Sequence, residues 1–257
     1  MDNTGMKYFV AEGSIVREIW SKADNILFIF AGSAAEFALN KAVDWLYFTG
    51  RLPADPLGRL FSTVAYGRMI IFSEYDGALA AIDKINAIHH GVEQARGAPI
   101  PDWAYRDVLF MLIDYSVRSF ELLERPLSDE EKEEVFEVFY RMGLRMGLKD
   151  MPYNYQHWLT VRTEHLEADL IKCDFTTDLF KQYKKHLGPA RYQLLKQVQL
   201  LIVPDEAKRL LPIYSISYLR PVIGFYKLSR LVGLHGLLKE AILPPAYKSQ
   251  IREMDVW

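Results

Sequence analysis

Six histidines (His89, His90, His157, His165, His186 and His235) and a single cysteine, Cys173, are the soft ligands this sequence offers. His89 and His90 are adjacent, so a helix sends them in directions about 100° apart. His89 recurs with Ala78, Ile82, Ile85 and Val92 at i, i+4, i+7 spacing, an apolar helix face. His90 instead shares its face with Asp83, Asn86 and Glu93. The pattern predicts His89 pointing inward and His90 toward water. A histidine on an apolar stripe is ordinarily a core side chain bonded to a carbonyl. The sharper alternative is an axial ligand, because neutral imidazole in an apolar pocket suits haem iron.

The second constellation is Asp55-Pro56-Leu57-Gly58-Arg59-Leu60-Phe61-Ser62-Thr63. Asp55-Pro56 reads as a helix start, an aspartate cap followed by proline at the first helical position. Arg59, Ser62, Thr63 and Tyr66 then fall on one face at i, i+3, i+4, i+7. Periodicity alone describes a partly exposed polar face with an arginine ion pair. The same four groups would also furnish a cavity wall with a fixed cation, two hydroxyls and a phenol.

Helices must carry these residues. Strand alternation is almost absent, whereas helical spacing recurs at about 31–49, 57–72, 78–94, 102–124, 128–147, 154–171, 176–186, 190–202 and 214–238. Ser128-Asp129-Glu130-Glu131 is a capping box opening one of them. Breakers such as Gly50, Pro53, Gly97, Pro126, Pro152, Gly188-Pro189 and Pro244-Pro245 separate the segments without forming a long linker. The expected architecture is one all-α domain over residues 1–257, with residues 1–13 as a flexible N-terminus.

Composition narrows the chemistry. The chain has 257 residues, half of them hydrophobic, with 31 basic and 33 acidic residues, a net charge of −2. That balance gives no global pull toward nucleic acid or anionic lipid. The short basic run from Lys181 to His186 reads as a solvated helix face. One cysteine excludes a disulfide framework and a cysteine-based zinc or iron–sulfur cluster within one chain, and it agrees with a reducing compartment. The N-terminus has no basic region followed by an apolar core and cleavage site. Apolar stretches such as Ile26 to Ala35 fall short of the ~20 residues that span a bilayer. The expectation is a soluble cytoplasmic protein.

Taken in order, V-R-E-I-W-S-K-A-D at Val16–Asp24, D-P-L-G-R-L-x-x-T at Asp55–Thr63 and I-H-x-x-V at Ile88–Val92 resemble the rubber-oxygenase catalytic domain. That family includes the bacterial latex-clearing proteins and the endoplasmic-reticulum oxygenase of fungal mycophenolic acid biosynthesis. The similarity continues through P-L-S-D-E-E at Pro126–Glu131 and to L-P-P at Leu243–Pro245, so it covers most of the chain. It implies a globin-like helical fold holding one b-type haem. His89 matches the family's proximal iron ligand, and Arg59 and Thr63 match its distal arginine and threonine. The implied activity is that of a haem-dependent oxidoreductase, an oxygenase acting with dioxygen on a small lipophilic substrate, isoprenoid or otherwise unsaturated. Arg59 and Thr63 would stabilise negative charge developing on oxygen.

Departures accompany the match. Ser62 stands where the latex-clearing subgroup has lysine, Asn40-Lys41 where the family commonly has His-Pro, and Glu93 where it often has arginine. Met111-Leu112-Ile113 replaces a tryptophan-valine-histidine motif. The resemblance therefore implies haem binding but not rubber cleavage itself. Two other classes stay open: a catalytically degenerate haem- or lipophile-binding protein of the same fold, and a non-haem metal enzyme using His89 with Glu93 or His165 with Glu164 and Glu167. Asp44 is a candidate base, though its spacing equally suits a solvated surface.

Overall fold

The computed structural model describes residues 7–211 and 217–231. Over these residues the chain forms twelve α-helices: α1 (Ile15–Trp20), α2 (Ala23–Phe37), α3 (Val43–Phe48), α4 (Arg51–Ala54), α5 (Pro56–Phe72), α6 (Tyr75–Arg96), α7 (Asp102–Leu123), α8 (Asp129–Arg145), α9 (Tyr155–Asp169), α10 (Asp174–Ile202), α11 (Asp205–Leu210) and α12 (Leu219–Leu231). Extended pairing among the described residues is confined to two isolated bridges, Tyr8–Glu74 and Asn40–Leu170. The fold class is all-α. No helix among the described residues is long and apolar enough to cross a membrane.

Local chemistry sets several boundaries. The Asp55 carboxylate caps α5 by accepting from Gly58 N at 2.9 Å, with Pro56 in the first turn. The Ser128–Glu131 capping box opens α8 as its sequence predicts. Gly97, at φ 72°, closes α6 in the left-handed conformation that glycine adopts without a Cβ penalty.

α7 is the central element. From Leu109 to Val117 every residue is buried, so this stretch of the helix has no solvent face. Its most extensive partner is α2. The close approach is made at Gly32, where an added Cβ would stand 2.4 Å from the Tyr115 ring. Inside this core, Trp20 donates its indole N–H to Ser116 Oγ at 3.1 Å.

Several boundaries differ from the sequence pattern. The helix expected at 31–49 is two helices, with a turn at residues 38–42. Asn40 breaks it: its Oδ1 accepts from Ala42 N at 2.8 Å, offering the backbone an alternative to the helical ladder. Main-chain bonds from Lys41 N to Asp169 O and from Ile171 N to Leu39 O complete the bridge. The Gly188-Pro189 break, by contrast, follows the pattern: α10 is two helical segments meeting at a kink where Gly188 is non-helical at φ 74°, ψ 168°. α1, α4 and α11 are too short to show a period. Within the stretch expected to be a flexible N-terminus, Phe9 and Val10 are buried, whereas Lys7 and residues 11–13 are exposed. His235 and Leu243–Pro245 lie outside the described residues.

Candidate active site

A cavity of about 1040 Å³ is enclosed mainly by α2, α5, α6, α7, α10 and α12. That is at the upper end of the roughly 300–1,000 Å³ of most ligand pockets. Most of its wall is aliphatic or aromatic: Leu27 and Phe30 from α2, Ile70 from α5, Ile85 from α6, Leu112 from α7 and Leu195 from α10 contribute.

The polar residues singled out by spacing converge on this space. Arg59, Ser62, Thr63 and Tyr66 line it from α5, and His89 lines it from α6. His90, one residue on, is exposed and bonds Glu93 Oε2 through Nδ1 at 2.9 Å.

His89 Nδ1 is buried and has no hydrogen-bond partner among the described residues. Its ring packs against that of Tyr105, with centroids 5.0 Å apart. Burial, assisted by the nearby Arg59 charge, holds the imidazole pKa down to about 4. His89 is therefore neutral at physiological pH, the form in which a ring nitrogen can bind a metal.

The Arg59 guanidinium has one weak contact among the described residues, Ser62 Oγ at 3.5 Å, and no carboxylate partner. Burial and the Arg51 charge lower its pKa, outweighing the Tyr66 phenol. The two hydroxyls are turned inward to the helix: Ser62 donates to Arg59 O at 2.8 Å and Thr63 to the same oxygen at 3.1 Å. Thr63 must rotate away from that carbonyl before it can donate to anything in the cavity.

Glu93 does not reach His89. Its Oε1 accepts from Ile100 N at 2.9 Å and from the Tyr105 hydroxyl at 3.2 Å. Burial raises the Glu93 carboxyl, but these bonds and that from His90 outweigh it and hold the pKa below the usual range. One carboxylate thus ties the end of α6 to the start of α7, behind the imidazole. None of these bonds joins Glu93 to His89.

Other candidates lie elsewhere. Asp44 is absent from the cavity wall and accepts from Arg96 at 2.6 Å, a guanidinium that also covers the Trp45 ring at 3.9 Å. It is engaged in an ion pair at the surface. Asn40 and Asp44 do not share a helix, since Asn40 precedes α3. Glu164 and Glu167 are exposed and are not gathered around His165. Instead His165 meets Asp107 and Asp169, whose carboxyl is raised by burial and by the Asp107 charge against the opposing pull of His165. Cys173 caps α10 against Thr176, and Lys181, Lys184 and Lys185 are exposed on that helix.

Sequence reasoning missed Tyr105, the third member of the His89 environment, and the cavity wall supplied by α10 and α12. Tyr105 lies near the start of α7, where Ala104, Val108 and Leu112 also face the cavity. That i, i+4, i+8 row was the available signal. Searches among curated proteins and among solved structures each found no match. A family model described as "ER-bound oxygenase mpaB/B'/Rubber oxygenase, catalytic domain" matches residues 20–249, a span that contains Arg59, Thr63 and His89. With that match over most of its length, the chain belongs to the mpaB/rubber-oxygenase catalytic-domain family.

Proposed function

We propose that this protein is a haem-b-dependent oxygenase that acts with dioxygen on a small lipophilic substrate, isoprenoid or otherwise unsaturated. The observation that carries the reading is His89: a neutral imidazole with an orphaned, buried ring nitrogen on the wall of a large, mostly apolar cavity. No hydrogen bond among the described residues engages the His89 ring, so the neutral imidazole on the cavity wall keeps a nitrogen able to ligate a metal. The donor set fits haem iron in this respect. Haem bound there supplies dioxygen activation, the chemistry that amino-acid side chains lack.

The chain's own residues divide the remaining work. His89 would hold the iron. Arg59, half-buried and without a carboxylate partner among the described residues, is a cation able to donate charge-assisted hydrogen bonds to an anionic group in the cavity, whether developing oxygen charge or a cofactor carboxylate. Thr63 can add a donor once its hydroxyl leaves the Arg59 carbonyl. The apolar walls orient the substrate and exclude water. The reading includes a reducing, cytoplasmic compartment, on the strength of the lone cysteine.

Purified protein reconstituted with haem should show a Soret band that disappears in His89→Ala. A chain that stays colourless after reconstitution refutes the proposal. Ser62 and Glu93, standing where relatives commonly carry cations, favour a second reading: a haem- or lipophile-binding protein without turnover. A Soret band with no dioxygen consumption across a panel of unsaturated lipophiles would select it.

A further inference from the structure

Outside the cavity, α7 and α9 bring Asp107, His165 and Asp169 together, with one ligand atom of each within 4.8 Å of the other two. None of the three lines the cavity. His165 and Asp169 are four residues apart on α9, the separation that sets two ligands on one helix face. Asp107 reaches them from α7. The three side chains are 4–16% exposed, Asp169 the most, so the cluster is sheltered but has a route to solvent.

The contacts converge in a way that simple pairing does not satisfy. His165 Nδ1 touches Asp107 Oδ1 and lies 3.3 Å from Asp169 Oδ2. A ring nitrogen carries at most one proton, so it serves one carboxylate well and leaves the second facing a like charge. Two cations stand nearby, Lys41 with Nζ donating to Ala168 O at 2.5 Å and Arg106 donating to Lys149 O at 2.8 Å; their charges favour ionised Asp169, but neither is placed as a hydrogen-bond partner of the cluster. Around the cluster the supports are fixed. Asn40 Nδ2 donates to the second Asp107 oxygen at 2.6 Å, Asn40 is itself held through Ala42 N, and the Phe110 ring packs edge-on against His165. Ligands oriented by outer hydrogen bonds and an apolar neighbour are what a metal site requires.

We propose that Asp107, His165 and Asp169 bind one divalent transition-metal ion of the zinc class, separate from the cavity. One imidazole nitrogen with two carboxylate oxygens suits zinc, whereas magnesium and calcium favour all-oxygen sets. Three protein ligands leave a position for water. The ion neutralises both carboxylates at once and clamps α7 to α9 beside the Asn40–Leu170 bridge.

The test uses the full chain without haem, titrated with Zn²⁺ by calorimetry and with Co²⁺ by visible absorption. The expected result is one equivalent bound, a cobalt d–d band of nitrogen/oxygen ligation, and a rise in Tm that EDTA reverses. His165→Gln and Asp169→Asn should each weaken binding about tenfold or more, with helical circular dichroism unchanged. His89→Ala should bind zinc as the wild type does, so failure of the haem reading leaves this result intact. Should either variant fail to fold, the wild-type cobalt band decides alone. Absence of saturable binding in the micromolar range overturns the proposal, because an imidazolium shared by two carboxylates then accounts for the cluster. Wild-type affinity in both folded variants overturns it equally.

Discussion

Arg162 grips both oxygens of Glu36, each at 2.6 Å, where the two side chains are only 5% and 1% exposed. The same guanidinium reaches Asp114 Oδ2 at 3.1 Å, and the Tyr115 hydroxyl donates to Glu36 Oε2 at 2.7 Å. Burial disfavours the Arg162 charge, but the Glu36 and Asp114 carboxylates outweigh it and raise its pKa. This network joins α2, α7 and α9 through the core.

Removing one partner of such a pair strands a buried charge. Arg162→Met should cost about 3–5 kcal/mol, read as a fall in the urea midpoint. Arg162→Lys should recover little, because an ammonium cannot make the paired contact with Glu36. Stability equal to wild type in Arg162→Met would show that the pair is not formed.

The α2–α7 approach makes a steric prediction. Gly32→Ala places a methyl 2.4 Å from Tyr115 Cδ1 and Cε1, in a ring whose hydroxyl is anchored to Glu36. Overpacking of this kind costs about 1–3 kcal/mol. Tyr115→Phe should not rescue the variant, since the clash is with ring carbons. Thermal denaturation of the two variants and their combination measures this.

The depressed His89 pKa has a signed consequence for the haem-free chain. Between the unfolded value near 6.5 and the folded value of about 4, the unfolded state binds more protons, so stability falls as pH drops through that window. His89→Phe should flatten this part of the pH–stability curve while leaving neutral-pH helicity intact. An unchanged slope in the variant would assign the pH dependence to other groups.

With haem bound, Arg59→Ala should retain the Soret band and lower dioxygen affinity or turnover by about 10–100-fold, the worth of a charge-assisted hydrogen bond at roughly 1.5–3 kcal/mol. Thr63→Ala should act in the same direction more mildly, because its hydroxyl must first leave the Arg59 carbonyl. If Arg59→Ala unfolds the chain instead, the arginine is structural.

What the sequence disclosed was set by distance along the chain. The α5 start at Asp55-Pro56, the α8 capping box and the α6 stop at Gly97 depend on residues within one turn, and each is legible locally. His89 and Arg59 could each be assigned to a face, and the resemblance supplied the reason to bring the faces together. The break at Asn40 was only half legible: its bond from Ala42 N is local, but Asp107 and the Asp169–Ile171 backbone, which fix the turn, lie 67 or more residues away. Grouping His165 with its near neighbours Glu164 and Glu167 failed for the same reason. Those side chains share its stretch of sequence but not its helix face, while Asp107 comes from another helix.

The Arg162–Glu36 pair also bears on how the molecule is made. Glu36 waits 126 residues for its arginine, Ala34 waits 149 for the Tyr183 hydroxyl, and Ala31 waits 168 for the Gln199 amide. At about 5–20 residues per second on the ribosome, the first of these gaps alone lasts roughly 6–25 s. Until α7 emerges, α2 lacks its most extensive partner, and for the whole of the gap Glu36 lacks its arginine. The nascent N-terminal third is thus a client for cellular shielding until the later helices arrive, and chains cut short before α9 should collect in aggregates.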